Sequence, residues 1–349
     1  MPSRDGRTTL ATIAASAGVS IATVSKVVNG RADVSPATRR LVETLLRQHQ
    51  YKVRRRTQVR RNVATTRIEL LLAYPLNAYT TEIMQGVLDA ATELSTSVAV
   101  SGGVVDDQQM VAYHGSGWAR DLADAGRQAV ITVVNALTAE DLAALAQAHL
   151  PLVVIDPSNM PRARVTSVGS TNFAGGLAAT QHLLSLGHRR IAYIGGPATA
   201  AHSQARLHGY RAAMEAEGIH IPEGYVRAGQ FLYQDGIAGA AALLDLPEPP
   251  TAIFAGSDET AVGVIEAART RGLRVPEDLS VVGFDDTRLA RFVSPPLTTV
   301  RQPLLEMGGV ALRTALRLAA GEKLDSHHVE LATQLVVRHS TAHRPDEHS

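Results

Sequence analysis

Thr9-Leu-Ala-Thr-Ile-Ala-Ala-Ser-Ala-Gly-Val-Ser-Ile-Ala-Thr-Val-Ser-Lys-Val-Val-Asn29 reads as two short helices joined by a tight turn. Leu10, Ile13, Ala14 and Ala17 recur at helical spacing and give the first helix one apolar face. Gly18 follows the last of them, where a left-handed residue ends a helix at no steric cost. Ser20 can cap a second helix, in which Val24, Val27 and Val28 face inward. Ile21, Ala22, Ser25 and Lys26 are left on its outer face. A short helix held across a Gly-containing turn, with its first residues free, suits the major groove of DNA. An ordinary helical hairpin would show the same apolar spacing. Asn29-Gly30 ends the second helix. Ser35-Pro36 starts a third, whose core face would be Leu41, Val42, Leu45 and Leu46.

Charge separates this end of the chain from the rest. Residues 1–67 hold 14 Lys/Arg against 3 Asp/Glu, a net of +11, whereas the remaining 282 hold 20 against 30, a net of −10. A basic, patterned end on an acidic body is the electrostatic footprint of a nucleic-acid-binding module. The 349 residues exceed one compact core and imply two or three domains. There is no cysteine, so disulfides and thiolate metal sites are excluded. The first nine residues are polar, and no stretch approaches about 18 consecutive apolar residues. A cytoplasmic protein without a membrane span is therefore expected.

The motifs Ala17-Gly-Val-Ser20, Thr23-Val-Ser25, Val28-Asn-Gly30, Val34-Ser35, Thr38-Arg39 and Tyr51 resemble the headpiece of the lactose-repressor family of bacterial transcription regulators, and its actinobacterial branch in particular. The resemblance implies that Ile21, Ala22 and Lys26 approach base edges. Lys26 can donate to guanine acceptors, and the other two offer apolar contact. Ser20, Thr23, Ser25 and Asn29 are placed to bond phosphates, and each hydroxyl could instead serve as a helix cap. The following segment, Tyr51 to Asn62, departs from the family's hinge pattern. Val53 and Arg54 stand where the family has Pro and Asn. Arg60 replaces its groove-wedging leucine, with Val59 the nearest apolar residue. Six basic residues within Lys52–Arg61, Arg54 and Arg55 among them, can follow phosphates or enter a narrow minor groove.

From Arg67 onward, apolar strands alternate with helices. Strands are expected at 68–73, 98–100, 129–134, 152–155, 191–194, 252–255 and 280–283, with helices at 82–94, 118–125, 139–148, 175–186, 204–217, 236–244 and 259–271. This order implies parallel α/β sheets covered on both faces, in two Rossmann-like lobes. Further motifs extend the resemblance over the second half of the chain. They are His182-Leu183 with Leu186-Gly-His-Arg-Arg-Ile191, Arg206 with Gly209-Tyr210, Ser257-Asp258, Gly283-Phe-Asp-Asp286 and Pro295-Pro-Leu-Thr-Thr-Val-Arg-Gln-Pro303. The resemblance implies a periplasmic-binding-protein-like body. The expected divisions are a headpiece at 1–50, a basic hinge at 51–66 and a body at 67–340. Lobe one takes about 67–165 and 300–325, lobe two about 166–299 and 326–340, and a loose tail follows from 341.

Polar residues at the carboxyl ends of such strands face a cleft between the lobes. Asn77, Tyr79, Asn135, Asp156, Ser257, Asp258, Asp285 and Asp286 occupy those positions, and their carboxylates and amides suit a polyhydroxylated ligand. The aspartates could instead cap the following helices. By resemblance, Arg206 supplies a planar donor fork, Phe231 an aromatic wall, and His202 and Gln302 further cleft contacts. The expected partners are double-stranded operator DNA, a second copy of the chain and a sugar or oligosaccharide effector. A nucleobase or other metabolite acting as corepressor is the alternative. No Gly-x-Gly-x-x-Gly, Walker or Gly-x-Ser-x-Gly signature supports an enzyme, and no cofactor is implied. His188-Arg189-Arg190 follows a helix end at Gly187 and complements its C-terminus, and His327-His328 lacks the spacing of a metal site.

Overall fold

The structure, a computed structural model, describes residues 10–28, 34–48, 66–72, 76–102, 105–106, 109–110, 117–134, 137–158 and 165–344. Contacts divide the chain into two units, Met1–Ala64 and Thr65–Ser349.

In the first unit, α1 (Leu10–Ala17), α2 (Ile21–Val28) and α3 (Pro36–Gln48) pack around Ile13, Ala14, Val24, Val27 and Val42. Gly18 adopts φ +63°, as the turn requires. Ser20 Oγ accepts from Thr23 N at 3.1 Å and caps α2; Ser35 Oγ does the same for Thr38 N at 3.2 Å and caps α3. One expectation fails. Leu41 is exposed, because Val42, with Leu45 and Leu46 partly buried beside it, already occupies the face of α3 turned to the core.

The second unit contains two six-stranded sheets. The first has the order β13-β7-β6-β5-β1-β2 and is parallel throughout. Its strands are β1 (Arg67–Leu72), β2 (Ser97–Gly102), β5 (Ala129–Val133), β6 (Leu152–Ile155), β7 (Thr166–Ser170) and β13 (His328–Leu331). The helices α4 (Ala78–Glu93) and α12 (Leu304–Ala319) cover one face, over Ile68, Leu70, Ile131 and Ile155. The helices α5 (Trp118–Asp124) and α6 (Ala139–Gln147) cover the other, over Leu71 and Val130. A two-residue pair, β3 (Val105–Asp106) and β4 (Gln109–Met110), stands apart from both sheets.

The second sheet has the order β14-β12-β11-β10-β8-β9, with only β14 antiparallel. Its strands are β8 (Ile191–Ile194), β9 (Val226–Arg227), β10 (Ala252–Ala255), β11 (Ser280–Asp285), β12 (Thr298–Arg301) and β14 (Gln334–Val336). The helices α7 (Asn172–Ser185) and α8 (Ala201–Ala216) cover one face; α9 (Tyr233–Leu244) and α10 (Asp258–Thr270) cover the other. A short α11 (Arg288–Phe292) follows β11.

Strand pairing moves the lobe boundaries. Thr166–Ser170 pairs with β6, so the first crossover is at Thr171, beyond the expected 165. Thr298–Arg301 pairs with β11, which puts the second crossover at Gln302-Pro303. His328–Leu331 pairs with β7 and puts the third at Ala332-Thr333, beyond the expected 325. The tail is also held further than expected. Ala342 N donates to Ser280 Oγ at 3.1 Å and Arg344 N to Leu186 O at 2.9 Å, so residues 341–344 line the edge of lobe two.

The α7–α8 crossing fixes where the cleft side chains sit. A Cβ on Gly176 would lie 2.3 Å from Arg206 O, and one on Gly209 would lie 2.3 Å from Phe173 O. Only glycine lets these two helices approach so closely, and α8 carries both His202 and Arg206.

Candidate functional site

Both sheets reverse their winding beside β1 and β8, and the carboxyl ends of their strands open on one cavity of about 360 Å³. Its size falls in the usual range for a small-ligand pocket. Asn77 and Tyr79 reach it from the start of α4, Asp156 from the end of β6, and His202 and Arg206 from α8. Ser257 and Asp285 reach it from the ends of β10 and β11, and Phe231 from the loop before α9. Val134, Asp156, Phe231 and Asp285 have φ of +47°, +46°, +64° and +113°. Positive φ in residues other than glycine is strained backbone, and these four lie along the cavity wall, three at strand ends and Phe231 in the loop before α9.

Each lobe presents one buried carboxylate to the cavity, and that of Asp285 faces a guanidinium. Arg206, 3 % exposed, donates from Nε to Asn172 Oδ1 at 2.7 Å and from Nη1 to Gly256 O at 2.6 Å. Its Nη1 also lies 3.6 Å from Asp285 Oδ1. Its guanidinium carbon is 3.8 Å from the Phe284 ring centre and 5.2 Å from that of Phe231, so the fork is clamped between two aromatic faces. Burial raises the Asp285 carboxyl to about 7, with Arg206 opposing the shift. On the opposite lobe, Tyr79 Oη donates to Asp156 Oδ2 at 2.5 Å. Burial raises both groups from their ordinary values, the tyrosine well above it.

His202 stacks on Phe231 at 5.7 Å. Burial, with Arg206 nearby, lowers its imidazole to about 3, so the ring is neutral at pH 7. Its Nδ1 is buried and finds no hydrogen-bond partner among the described residues. Such a nitrogen is costly unless something in the cavity bonds to it. Phe231 rests on Gly196, where a Cβ would meet its ring at 2.0 Å.

Other polar residues at the strand ends are committed elsewhere. Asn77 Oδ1 accepts from Thr80 N at 2.9 Å and caps α4. Ser257 Oγ caps α10 through Thr260 N at 3.1 Å and donates to Phe231 O at 3.0 Å. Asp258 is fully buried away from the cavity; it accepts from Thr287 N at 2.7 Å and from Thr299 Oγ1 at 2.6 Å. Asp286 pairs with Arg301 and Arg338. Gln302, expected to face the cleft, is buried behind Asp285, to which its Nε2 donates at 2.7 Å, and does not line the cavity. Asn135 lies outside the described residues, as do Asn29, Arg54, Arg55 and Val59. His188 bonds Thr251 and Ser280, and Arg189 Nη1 donates to Leu184 O near the end of α7 at 3.4 Å. His327 and His328 bond Thr166 and Ser167.

Sequence reasoning missed Asn172, which orients Arg206, and Thr287 and Glu259, which line the cavity. Asn172 opens α7 one residue beyond the strand at 166–170, whose Thr-Ser-Val-Gly-Ser composition hides it from a search for apolar runs. In α2, Ile21 (53 % exposed), Ala22 and Lys26 lie opposite the buried Val24 and Val27. Ser20 and Thr23 share a hydrogen bond at 2.9 Å, and Ser25 is half-buried.

A helix-turn-helix unit and a two-lobed body with a polar cavity, carried on one chain, define a DNA-binding transcription regulator of the ligand-responsive kind. Residues 9–53 match the model of the bacterial regulatory proteins of the lacI family, and residues 180–341 match a periplasmic binding protein-like domain. The transcriptional regulator CelR of Thermobifida fusca is 35 % identical over 350 residues, which cover 97 % of this chain and 99 % of that one. The solved structure of a CelR–cellobiose complex superposes with TM-score 0.70 at 32 % identity, over 96 % of this chain and all of that one. A lac repressor dimer bound to operator and an anti-inducer gives 0.69 at 27 % identity, over 96 % and 99 %. The chain belongs to the LacI family of bacterial transcription regulators, and its relatives are DNA-binding regulators rather than enzymes. Among the described residues no helix is long and apolar enough to cross a membrane.

Proposed function

We propose that the protein is a cytoplasmic, homodimeric repressor that releases a pseudo-palindromic operator when a sugar or short oligosaccharide enters the cleft between its lobes. One observation carries the reading: the Arg206–Asp285 pair and the Tyr79–Asp156 pair converge on a single cavity from opposite lobes. Carboxylates accept from hydroxyls and a guanidinium donates to them, so a polyhydroxylated ring can satisfy both sets at once. The partnerless Nδ1 of His202 gives it a further bond, and Phe231 gives its apolar face a wall. Similarity to a regulator solved with cellobiose supports this ligand class, and similarity to an operator-bound dimer supports the assembly.

On the DNA, Ile21, Ala22 and Lys26 read base edges, while Ser20, Thr23, Ser25 and Asn29 hold phosphates. Arg54 and Arg55 add charge along the backbone, with Val59 as the nearest apolar contact to the minor groove. The sugar acts by binding one arrangement of the lobes more tightly than the other, and an effect of about 1–3 kcal/mol changes operator affinity about 5- to 150-fold.

The test is fluorescence anisotropy on a palindromic duplex selected by the protein from a random pool. Mono- and disaccharides, cellobiose among them, are then added to the complex. Release by one sugar is the expected result. Binding that no sugar reverses, but that a nucleobase strengthens, replaces the inducer reading with a corepressor. Failure to select any duplex overturns the operator reading itself.

A further inference from the structure

Five buried residues at the junction of the lobes form a closed circuit, which the backbone carbonyl of Ser170 completes. Ser170 Oγ donates to Gln302 Oε1 at 2.5 Å, and Gln302 Nε2 donates to Asp285 Oδ1 at 2.7 Å. Asp285 faces Arg206 at 3.6 Å, Arg206 Nε donates to Asn172 Oδ1 at 2.7 Å, and Asn172 Nδ2 returns to Ser170 O at 3.0 Å. A carboxylate accepts, so Gln302 must turn its nitrogen toward Asp285 and its oxygen toward Ser170. Donation therefore runs outward from Arg206 toward both Asn172 and Asp285, and Asp285 accepts from the Gln302 side as well. None of the five is more than 8 % exposed, so a broken bond has no ready replacement from bulk water.

The positions of the five give the circuit its meaning. Arg206 and Asp285 line the cavity, whereas Ser170, Asn172 and Gln302 do not. Ser170 and Asn172 flank the first crossover, and Gln302 begins the second. The third is tied to the first: Thr333 N donates to Thr171 Oγ1 at 2.9 Å, and Thr171 N donates to Leu331 O at 3.0 Å. The segments about which the lobes must turn are therefore bonded, through three side chains that touch no ligand, to the two charged groups that a ligand engages.

We infer that Ser170, Asn172 and Gln302 are positioning residues that transmit occupancy of the cleft to the crossovers, and so set how far effector changes operator affinity rather than how tightly effector binds. The inference rests on the cleft being the effector site, as proposed above. A ligand that draws Arg206 or Asp285 toward itself lengthens bonds to Asn172 and Gln302, and the crossovers must follow or the bonds must break.

The experiment uses the full chain, the selected duplex and the sugar panel including cellobiose. Sugar affinity is measured without DNA by calorimetry, and operator affinity with and without saturating sugar by anisotropy. Ser170→Ala, a small change at a buried site, is expected to bind sugar within about threefold of wild type. Its sugar-induced loss of operator affinity should shrink by about fivefold or more, against the usual range of such coupling. Gln302→Met should shrink the same response. The double variant should respond as the weaker single does, because both changes cut one link. A wild-type response in Ser170→Ala overturns the inference, and so do additive losses in the double variant. If Gln302→Met does not fold, Ser170→Ala alone decides. If no sugar moves the wild-type complex, the sugar reading has failed by itself. The circuit is then judged with the nucleobase that strengthens the wild-type complex, whose effect both single variants must shrink, and a wild-type effect in Ser170→Ala overturns it.

Discussion

Arg206 Nη1 and Asp285 Oδ1 lie 3.6 Å apart, and the two side chains are 3 % and 6 % exposed. The pair bridges α8 and the end of β11. Breaking a buried pair from one side leaves an uncompensated charge, which typically costs about 3–5 kcal/mol. Arg206→Met should lose that much stability by urea denaturation at pH 8. The loss should be smaller at pH 5.5, where Asp285, raised by burial to about 7, already carries a proton and leaves no carboxylate uncompensated. An equal loss at both pH values would show that Asp285 is not the group left uncompensated.

The pH dependence of wild-type stability follows from the same carboxyl. Burial raises Asp285 to about 7 in the folded chain, whereas an unfolded aspartate titrates near about 3.9. Between those values the folded state holds more protons, so this group's contribution falls as pH rises through the window and is level above it. Asp285→Asn removes the titration. Its melting temperature should therefore gain on wild type from pH 5 to pH 8, and a constant gap would rule the assignment out. The same variant should still bind operator but no longer respond to effector.

Gly209→Ala tests the helix crossing that places Arg206 and His202. The new methyl would meet Phe173 O at 2.3 Å, and a backbone atom cannot step aside as a side-chain tip can. Overpacking of this kind costs about 1–3 kcal/mol. Urea denaturation should report that loss. Calorimetry should show weaker sugar binding as well, since α8 must move outward. Full sugar affinity in a destabilised variant would separate the crossing from the site.

Lys26 is exposed on the outer face of α2, whereas Arg55 belongs to the basic segment after Tyr51. Lys26→Ala should narrow the ratio between operator and random-duplex affinity. Arg55→Ala should weaken both together and reduce the slope of log affinity against log salt by about 1. Anisotropy titrations at several salt concentrations distinguish the two. A change of sequence preference in Arg55→Ala at an unchanged slope would contradict its role as a phosphate contact.

Local physics made much of this protein legible from its residues. A glycine at Gly18, a serine cap at Ser20 and valines at helical spacing are sufficient for the first two helices, because each contact spans only a few positions. Largely apolar stretches such as Ile68-Glu-Leu-Leu-Leu72 and Ile191 to Ile194 announce strands buried on both faces. Strands without such a run, notably 166–170 and 328–331, did not show, and the lobe boundaries were misplaced with them. Leu41 looked like core from its type alone, although its neighbour Val42 holds that place.

Tertiary structure alone decided which polar residues work together. Asp156, Asp258, Asp285 and Asp286 look alike in the sequence, yet only Asp156 and Asp285 line the cavity, while Asp258 and Asp286 hold lobe two together. Arg206 meets Asn172 and Gly256 across 34 and 50 residues, and Ser170 meets Gln302 across 132. Periodicity and capping act over a single turn of helix or a strand's length. A carboxylate's role depends on which cation, amide or cavity stands opposite it, and that is set when the two sheets assemble around their three crossovers.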